Sequence, residues 1–436
     1  MKPVCVIGAG LAGCEAALQL ANRGVPVELY EMKPGHRSPA HHDDNFAELI
    51  CSNSLKAARV GSAAGLLKAE MRRFGSICME AADRSTVPAG GALAVDRDRF
   101  SSYITEAVRG HSHIRIVQER VTDWDVNSPT ILATGPLTDS DLFERISDRC
   151  GGSLSFYDAA APIVTTESID MSCAFRASRY ERGGDDYINC PMNQPEYEAF
   201  YEALIHAERA ELKAFESDFR LYEGCMPIEK MAERGHDTIR FGPLKPVGLR
   251  DPRTGHRPWA NVQLRAENAE GTLCNLVGFQ TNLKFSEQKR VFSMIPALKN
   301  AEFMRYGVMH RNSFLCSPRV LNADLSMKDH PMTFFAGQIT GVEGYMESAS
   351  SGILAAVNLW RKLQGRSPLI LPPITMLGAL TGYVTGSTGK DFQPMGANFG
   401  ILPPLDTPIR DKTARYEALA ARSLAWYDER IGDELS

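Results

Sequence analysis

The sequence predicts an α/β fold that is interrupted by an α+β insertion. A short apolar strand at residues 3–7 leads directly into a glycine-rich turn, a helical stretch and a second strand at 27–30. Alternation of this β-α-β kind is typical of a parallel sheet covered by helices. The alternation stops from about residue 160 to residue 330, and near residue 333 it returns. We therefore expect one discontinuous domain, built from 1–160 and 331–436, and an insertion domain over 161–330.

Periodicity and capping residues predict the individual elements. A helix is expected at 97–109, because its apolar residues recur on one face and Asp96 stands where an N-cap belongs. In the insertion a long polar helix is expected at 194–219. After the insertion, a buried strand at 333–337 is followed by a helix at 347–364. Four further short strands are predicted, at 130–135, 162–166, 261–264 and 273–279.

Composition is that of an ordinary globular protein. The 436 residues are 44% hydrophobic and 23% charged, which excludes disordered, collagen-like and disulfide-stapled classes. The charge-free run between Arg366 and Lys390 contains three prolines and four glycines, so it predicts loops and not a membrane span. The ten cysteines show no CxxC or metal-like spacing, and no signal peptide is visible. We therefore expect reduced thiols, no metal and a cytoplasmic protein, while a net charge of −5 argues weakly against a nucleic-acid coat.

The glycine-rich turn fits a dinucleotide fingerprint. In such a turn the first glycine permits the tight bend, the second lets the backbone approach a pyrophosphate, and the third lets helix and strand pack closely. Glu31 follows Gly13 by 18 residues at the end of the next strand, where a carboxylate accepts hydrogen bonds from a ribose. The expected binding residues are Gly8, Ala9, Gly10, Leu11, Ala12, Gly13 and Glu31.

Two later turns favour FAD over NAD as the dinucleotide. Gly135 ends a strand-and-turn pattern that is common in flavoproteins with two dinucleotide sites. Gly337 and Gln338 follow the late strand and precede a helix, whose N-terminal dipole would stabilise an anionic reduced flavin. The fold class predicted is therefore α/β, with a Rossmann-like FAD-binding domain of the glutathione-reductase type interrupted by an α+β insertion domain.

Five further segments of the chain carry a distinctive pattern. They are FAELICSNSL (46–55), VPAGGALAVDR (87–97), FGPLKPVGL (241–249), YGVMHRN (306–312) and GVEGYMESA (341–349). Together these segments resemble one family, the folate- and FAD-dependent tRNA uridine-54 C5-methyltransferases (TrmFO) of the Gid family. The related flavoproteins that modify the wobble uridine of tRNA share the FAD domain. They carry a further C-terminal helical domain, for which we expect no room in 436 residues.

The resemblance implies a reaction and two thiols. Uracil C5 becomes nucleophilic only after a thiolate adds at C6, so the reaction needs a cysteine, a base for the C5 proton and a hydride. In the family the carbon comes from 5,10-methylenetetrahydrofolate, and the hydride comes from FAD that NAD(P)H has reduced. The cysteines that match are Cys225, as the attacker of C6, and Cys51, close to the flavin. Their division of roles and the identity of the base remain open.

The resemblance also implies a folate site. In the family the pterin stacks between the flavin and an imidazole, which corresponds to His310, and Arg311 is placed to meet the glutamate tail. Glu343 and Tyr345 lie beside the late flavin turn and are further folate candidates. A structural role for His310 stays open. Four adjacent residues at 41–44, two histidines and two aspartates, are not expected to bind a metal, because neighbours in one loop rarely all point at one ion.

A protein that binds tRNA needs a positively charged surface, and in this acidic chain we expect such a surface in one region only. Residues 230–257 carry seven Lys or Arg against three acidic residues, a local excess of four positive charges, with Gly and Pro typical of exposed loops. We interpret this basic strip as a track for RNA phosphates, while the target base is flipped out towards the flavin. A solvated charged face is the alternative. The candidate tRNA residues are Arg240, Lys245, Arg250, Arg253 and Arg257.

Two other functions remain compatible with these residues. One is the same chemistry on a ribosomal RNA uridine. The other is a flavin oxidoreductase that acts on a small molecule, which would turn over without RNA or folate and would need neither Cys225 nor the basic strip.

Overall fold

The computed structural model describes residues 2–38, 40–181, 184–210, 226–387 and 392–435, without the side chains of 153–158, His310, Arg311, Asp433 and Leu435. The strands are β1 Val4–Ile7, β2 Val27–Glu31, β3 Ser54–Ala57, β4 Thr86–Val87, β5 Ala92–Val95, β6 Ile114–Gln118, β7 Thr130–Leu132, β8 Ser153–Ala159, β9 Ile163–Thr165, β10 Phe175–Arg176, β11 Tyr187–Met192, β12 Ala260–Ala266, β13 Leu273–Leu276, β14 Phe303–Arg305, β15 Met309–Leu315 and β16 Thr333–Phe335. The helices are α1 Leu11–Ala21, α2 Ala63–Arg73, α3 Ile77–Arg84, α4 Arg97–Arg109, α5 Ser140–Arg149, α6 Gln194–Ile205, α7 Ile228–Glu233, α8 Thr238–Phe241, α9 Phe285–Phe292, α10 Ser317–Val320, α11 Tyr345–Leu363, α12 Met376–Gly386 and α13 Lys412–Leu435.

A parallel sheet of five strands, in the order β16-β7-β1-β2-β6, organises the first part of the fold. Its neighbouring strands β16, β7 and β1 are short and almost wholly apolar, as is typical of parallel strands that helices cover on both faces. The chain fills one side of β1 with β2 and β6, and then crosses to the other side with β7 and β16. Crevices that bind ligands form at such a reversal of strand order, outside the carboxyl ends of the strands.

The antiparallel strands lie mostly in a second sheet. Six strands pair in the order β10-β11-β12-β13-β9-β14, and every pairing between them is antiparallel. The strands β15 and β8 form a separate ribbon, with Met309 opposite Ala159. One buried core draws its residues from positions 4–150 and 314–431, and another from positions 164–301. The described part of the chain has no helix that combines the length and the apolarity of a membrane span.

Two predicted elements were wrong. The helix expected at 194–219 ends at Ile205, because the chain then hydrogen-bonds to another segment: Lys284 N donates to Glu208 O at 3.1 Å, and Ala210 N donates to Asn282 O at 2.8 Å. Positions 211–219 lie outside the described residues. The run from 366 to 390 is not all loop, since α12 forms within it. There Thr375 caps the helix through Gly378 N, and buried Glu70 accepts hydrogen bonds from the first amides of the helix.

Candidate functional site

A cleft opens where the carboxyl ends of all five parallel strands meet. It encloses about 1290 Å³ of non-atom space, a volume that includes its open mouth. The cleft is lined by residues that lie at or just after the last position of each strand. These lining residues include Gly8 after β1, Glu31 at the end of β2, Glu119 and Arg120 after β6, Thr134 and Gly135 after β7, and Gly337 and Gln338 after β16.

The glycines of the first turn keep side chains away from the cleft wall and let α1 pack closely against β1. Gly8 has a φ of +100°, a conformation that side chains disfavour. A Cβ on Gly13 would lie 1.8 Å from the carbonyl oxygen of Gly8, so only glycine lets α1 approach β1 this closely. Gly10 lines the cleft, and a Cβ built on it meets nothing within 4 Å. No side chain caps α1 at Gly10, so the positive end of the helix dipole faces the cleft.

The Glu31 carboxylate is held rigidly at the edge of the cleft. Its Oε2 accepts a hydrogen bond from Ala9 N at 2.9 Å, and its Oε1 accepts one from Lys33 N at 3.0 Å. Each carboxylate oxygen has two lone pairs, so both retain capacity for the hydroxyls of a ribose. Binding of a ribose by Glu31 stays a prediction, which the free lone pairs of this carboxylate support.

The late turn joins the cleft to α11. Gly337 N donates to Ser351 Oγ at 2.7 Å, which fixes the turn to the helix that follows. Gln338 lines the cleft, and its Nε2 donates to Glu343 Oε2 at 2.6 Å. Glu343 is buried, and its carboxylate is joined to the site through Gln338. Its expected direct contact with folate stays a prediction.

Cys51 lies in the cleft against the hydroxyl of Tyr345, although 294 positions separate them in sequence. The Tyr345 oxygen accepts hydrogen bonds from Cys51 N at 2.8 Å and Ser52 N at 3.2 Å. The same oxygen lies 3.1 Å from Cys51 Sγ. Because two backbone amides occupy the oxygen lone pairs, the phenolic proton is left to be donated to the sulfur. Burial raises the pKa of Tyr345 well above its usual range, so this hydroxyl keeps its proton and can stabilise a thiolate.

Arg97 holds the loop that carries Cys51. Its Nη1 donates to Leu49 O at 2.5 Å and to Ile50 O at 3.2 Å, while its Nε lies 2.6 Å from Glu267 Oε2. Arg97 is also within electrostatic range of Cys51 and Tyr345. A positive charge within electrostatic range of a cysteine favours the thiolate, and the Glu267 carboxylate paired with Arg97 offsets part of that effect. The spacing of the sequence carries no signal for this contact.

Three predicted residues lie partly or wholly beyond what the structure describes. Cys225 falls in 211–225, outside the described residues, so its place relative to Cys51 is not given. His310 and Arg311 belong to β15, where their backbones pair with Asp158 and Tyr157 of β8. Asn312, which follows them on the strand, lines the cleft. The roles of all three stay predictions.

Within the basic strip, three cations are paired with acidic residues of the same strip. Each of its three acidic residues pairs with one of its cations: Glu233 with Lys230, Asp237 with Arg240, and Asp251 with Arg253. Arg240 is further held by its contact with the Trp259 ring, 3.9 Å from the guanidinium carbon. In the part of the chain that the structure describes, the candidates that make no ion pair are Lys245, Arg250 and Arg257.

Sequence reasoning missed part of the cleft. Arg120 lines it, and its Nη2 donates to Asp139 Oδ1 at 2.6 Å and to Asp141 Oδ2 at 2.7 Å. The signal that would have found Arg120 is its position just after β6, at the same edge as Gly8 and Glu31. Among the described residues, no group of three or more His, Cys, Asp or Glu is arranged to hold a metal ion. His41 instead contacts Ser38 Oγ at 2.6 Å.

A family model described as GIDA, glucose inhibited division protein A, matches residues 3–367. The chain belongs to the GidA family. Relatives from Acetivibrio thermocellus and Geobacter sulfurreducens are 57% and 56% identical to this GidA-family chain over 427 and 426 residues. Each alignment covers 98% of both proteins, and both relatives are named methylenetetrahydrofolate–tRNA-(uracil-5-)-methyltransferase TrmFO. The resemblance to that group is therefore confirmed.

Solved structures show the same fold. The GidA-family chain superimposes on Aquifex aeolicus GidA in its form I crystal with a TM-score of 0.69 at 17% sequence identity. The superposition covers 100% of this chain and 76% of that one. The predicted Rossmann-like α/β fold class is thereby confirmed.

Proposed function

We propose that this GidA-family chain is a methylenetetrahydrofolate- and FAD-dependent tRNA (uracil-5-)-methyltransferase. The observation that carries the proposal is the full-length identity of 57% to a relative of that name, together with a cysteine set in the dinucleotide cleft. We further propose that the target is uridine 54 of the T loop, that the product is 5-methyluridine, and that NAD(P)H is the reductant. A cytoplasmic location follows from these substrates.

The residues of the cleft fit FAD. The bare turn at Gly8–Gly13 and the uncapped start of α1 suit the pyrophosphate, and Glu31 suits the ribose of the adenosine half. Gly135, Gly337 and Gln338 would hold the flavin half. When bound, FAD supplies the hydride that completes the methyl group. The residues of the chain position the substrates and hold or remove their protons.

The thiol chemistry divides between two cysteines. We propose that Cys225 adds to uracil C6, and that Cys51 acts at the flavin end of the cleft as a thiolate stabilised by Tyr345 and Arg97. The support for Cys51 is the Tyr345 hydroxyl 3.1 Å from its sulfur, together with the charge of Arg97 within electrostatic range. For Cys225 the support is the sequence match to the family.

The folate and RNA contacts are assigned by position. We propose that His310 stacks on the pterin, that Arg311 binds the glutamate tail, and that Tyr345 lines the folate pocket while Glu343 orients Gln338. Of the basic strip, Lys245, Arg250 and Arg257 are the expected phosphate contacts. Arg240 and Arg253 each already form an ion pair. We therefore expect them to support the structure of the strip and not to bind phosphate. The domain division stays as predicted, with 161–330 as the insertion that carries this strip.

The test is nucleoside mass spectrometry. Purified protein is incubated with 5,10-methylenetetrahydrofolate and NADPH, and with unmodified tRNA or ribosomal RNA in parallel. The expected product is 5-methyluridine at position 54 of the tRNA. Methylation confined to ribosomal RNA would favour that alternative, and NADPH oxidation without RNA or folate, with no methylation, would favour a small-molecule oxidoreductase.

A pair of cysteine variants tests the proposed nucleophile. Cys225→Ala is expected to bind tRNA with unchanged affinity and to form no methylated uridine, because the C6 adduct cannot form. Cys173→Ala is the matched control, since Cys173 is half-buried outside the cleft and should leave methylation intact. Methylation retained in the Cys225 variant would remove the assignment.

A further inference from the structure

His41 lines the dinucleotide cleft and keeps one nitrogen of its ring without a partner. It is the first of two adjacent histidines in the loop that follows β2, and it is half-buried. Its Nδ1 lies 2.6 Å from Ser38 Oγ. Among the described residues its Nε2 has no hydrogen-bond partner, and protein does not enclose this atom. Nε2 is therefore accessible, on a residue that belongs to the wall of the cleft.

The contact with Ser38 decides which ring nitrogen of His41 carries the proton. Burial lowers the pKa of His41, so the imidazole is neutral at neutral pH and has a single N–H. Ala40 N donates to Ser38 Oγ at 3.3 Å, and in the described part of the chain Nδ1 is the acceptor within reach of the Ser38 hydroxyl proton. Because Nδ1 accepts this proton, the proton of the imidazole lies on Nε2. The accessible nitrogen is therefore a hydrogen-bond donor.

The loop that carries His41 is fixed beside the glycine-rich turn. Lys33 Nζ donates to Asp43 O at 3.0 Å, and Lys33 N donates to the carboxylate at the end of β2 at 3.0 Å. Further along the loop, Ala47 N donates to Ala9 O of the glycine-rich turn at 2.9 Å. His41 stands two residues before Asp43, a stretch of chain that spans at most about 7 Å. The donor is therefore held at the end of the cleft that the glycine-rich turn forms.

A phosphate oxygen is the acceptor that fits this donor. The Glu31 carboxylate only accepts hydrogen bonds, so it suits ribose hydroxyls and cannot bind a phosphate oxygen. The uncapped start of α1 provides amide donors for a pyrophosphate. The oxygens of a pyrophosphate accept several hydrogen bonds from different directions, and bonds to such charged acceptors are among the strong ones. A neutral N–H from the loop after β2 adds a further donor without adding charge.

We propose that His41 donates a hydrogen bond from Nε2 to a pyrophosphate oxygen of the dinucleotide bound in the cleft. This inference rests on the proposed function, which makes that dinucleotide FAD. Ser38 acts through His41 as a positioning residue, because its hydroxyl fixes both the orientation of the ring and the nitrogen that carries the proton. The first histidine of the 41–44 loop thereby has an anion as its ligand and not a metal.

The test compares three substitutions of His41 in the FAD-loaded full chain. His41→Gln places an amide near the position of Nε2, His41→Asn places one near Nδ1, and His41→Phe keeps a ring without nitrogen. The dissociation constant of FAD, followed by flavin fluorescence on dilution, is expected to rise about 10- to 100-fold in His41→Phe and His41→Asn and to stay within about threefold in His41→Gln. His42→Phe is the matched control and should leave this constant unchanged, since His42 is exposed and does not line the cleft.

A purely structural role for His41 predicts the opposite order of two variants. If only the contact with Ser38 mattered, His41→Asn would bind FAD better than His41→Gln, and this order would overturn the proposal. Unchanged FAD affinity in His41→Phe would overturn it as well.

ADP-ribose identifies the part of the cofactor that His41 contacts, because it carries the pyrophosphate and lacks the flavin. Calorimetric titration of the flavin-free full chain with ADP-ribose is expected to show the same loss of affinity in His41→Phe as FAD does. Unchanged ADP-ribose affinity in that variant would overturn the assignment to the pyrophosphate. An unsubstituted protein that binds ADP-ribose and no FAD would instead contradict the proposed function, and the ADP-ribose titration would still test His41.

Discussion

Removal of the Tyr345 hydroxyl tests the hydrogen bond that we expect to stabilise the Cys51 thiolate. In Tyr345→Phe the sulfur loses a donor at 3.1 Å, and the amides of Cys51 and Ser52 lose their shared acceptor. A hydrogen bond to a charged group contributes about 1.5–3 kcal/mol, and one pH unit corresponds to about 1.36 kcal/mol. The pH midpoint for thiolate formation at Cys51 should therefore rise by roughly 1–2 units, because the hydrogen bond favours the charged form.

The assay is alkylation by iodoacetamide across a pH series, read at each cysteine peptide by mass spectrometry. Cys173, which is half-buried and outside the cleft, gives an internal reference in the same sample. Tyr383→Phe is the matched substitution, since the Tyr383 hydroxyl donates to Gln393 O at 2.9 Å and makes no contact with Cys51. An unchanged or lowered midpoint for Cys51 in Tyr345→Phe would refute the direction assigned to the phenolic proton.

Three further predictions concern packing, pH and charge. Gly13→Ala should yield protein with little or no flavin, because the new Cβ lies 1.8 Å from the Gly8 carbonyl oxygen; flavin absorbance per protein measures this. Burial raises the pKa of Glu15 to about 7, so the folded state keeps a proton that the unfolded state loses near its usual value of 4.5. Stability should fall as pH rises between these values, and Glu15→Gln should be more stable than the unsubstituted protein at pH 8 by about 1–3 kcal/mol in denaturant unfolding, with little difference at pH 4. Replacement of Lys245 and Arg250 by Glu should weaken tRNA binding and reduce the slope of log affinity against log salt by about 2.

Each of these has a control and a contradicting result. Gly365→Ala does not touch the cleft, so it should retain flavin, and equal flavin content in Gly13→Ala would contradict the packing argument. For Glu15→Gln, an advantage of the same size at pH 4 and pH 8 would show that proton binding is not its cause. For the basic pair, Lys230→Gln is the comparison, since Lys230 is already paired with Glu233 at 3.0 Å. An equal loss of tRNA affinity in Lys230→Gln, or no loss in the charge-reversed pair, would remove the basic strip from the RNA contact.

The sequence by itself determined the first βαβ unit, the N-cap at Asp96, the carboxylate at the end of β2 and the return of the parallel sheet after the insertion. These features are local: a strand shows as a short apolar run, a turn requires glycine, and a cap requires an oxygen next to the first helical turn. Residues that follow neighbouring strands of a parallel sheet must meet at one edge, so Gly8, Glu31 and Gly337 were predictable as a group.

Only the tertiary structure decided which side chains meet over long separations. The hydroxyl of Tyr345 reaches Cys51, and Arg97 binds the loop before it, and neither contact is visible in spacing or composition. The same applies to charge, because a count along the sequence yields the excess of four positive charges in the basic strip but not which cations pair with its three acidic residues. Local patterns arise from the backbone and its nearest neighbours, whereas these contacts depend on how whole elements pack, and that packing is settled by the complete chain.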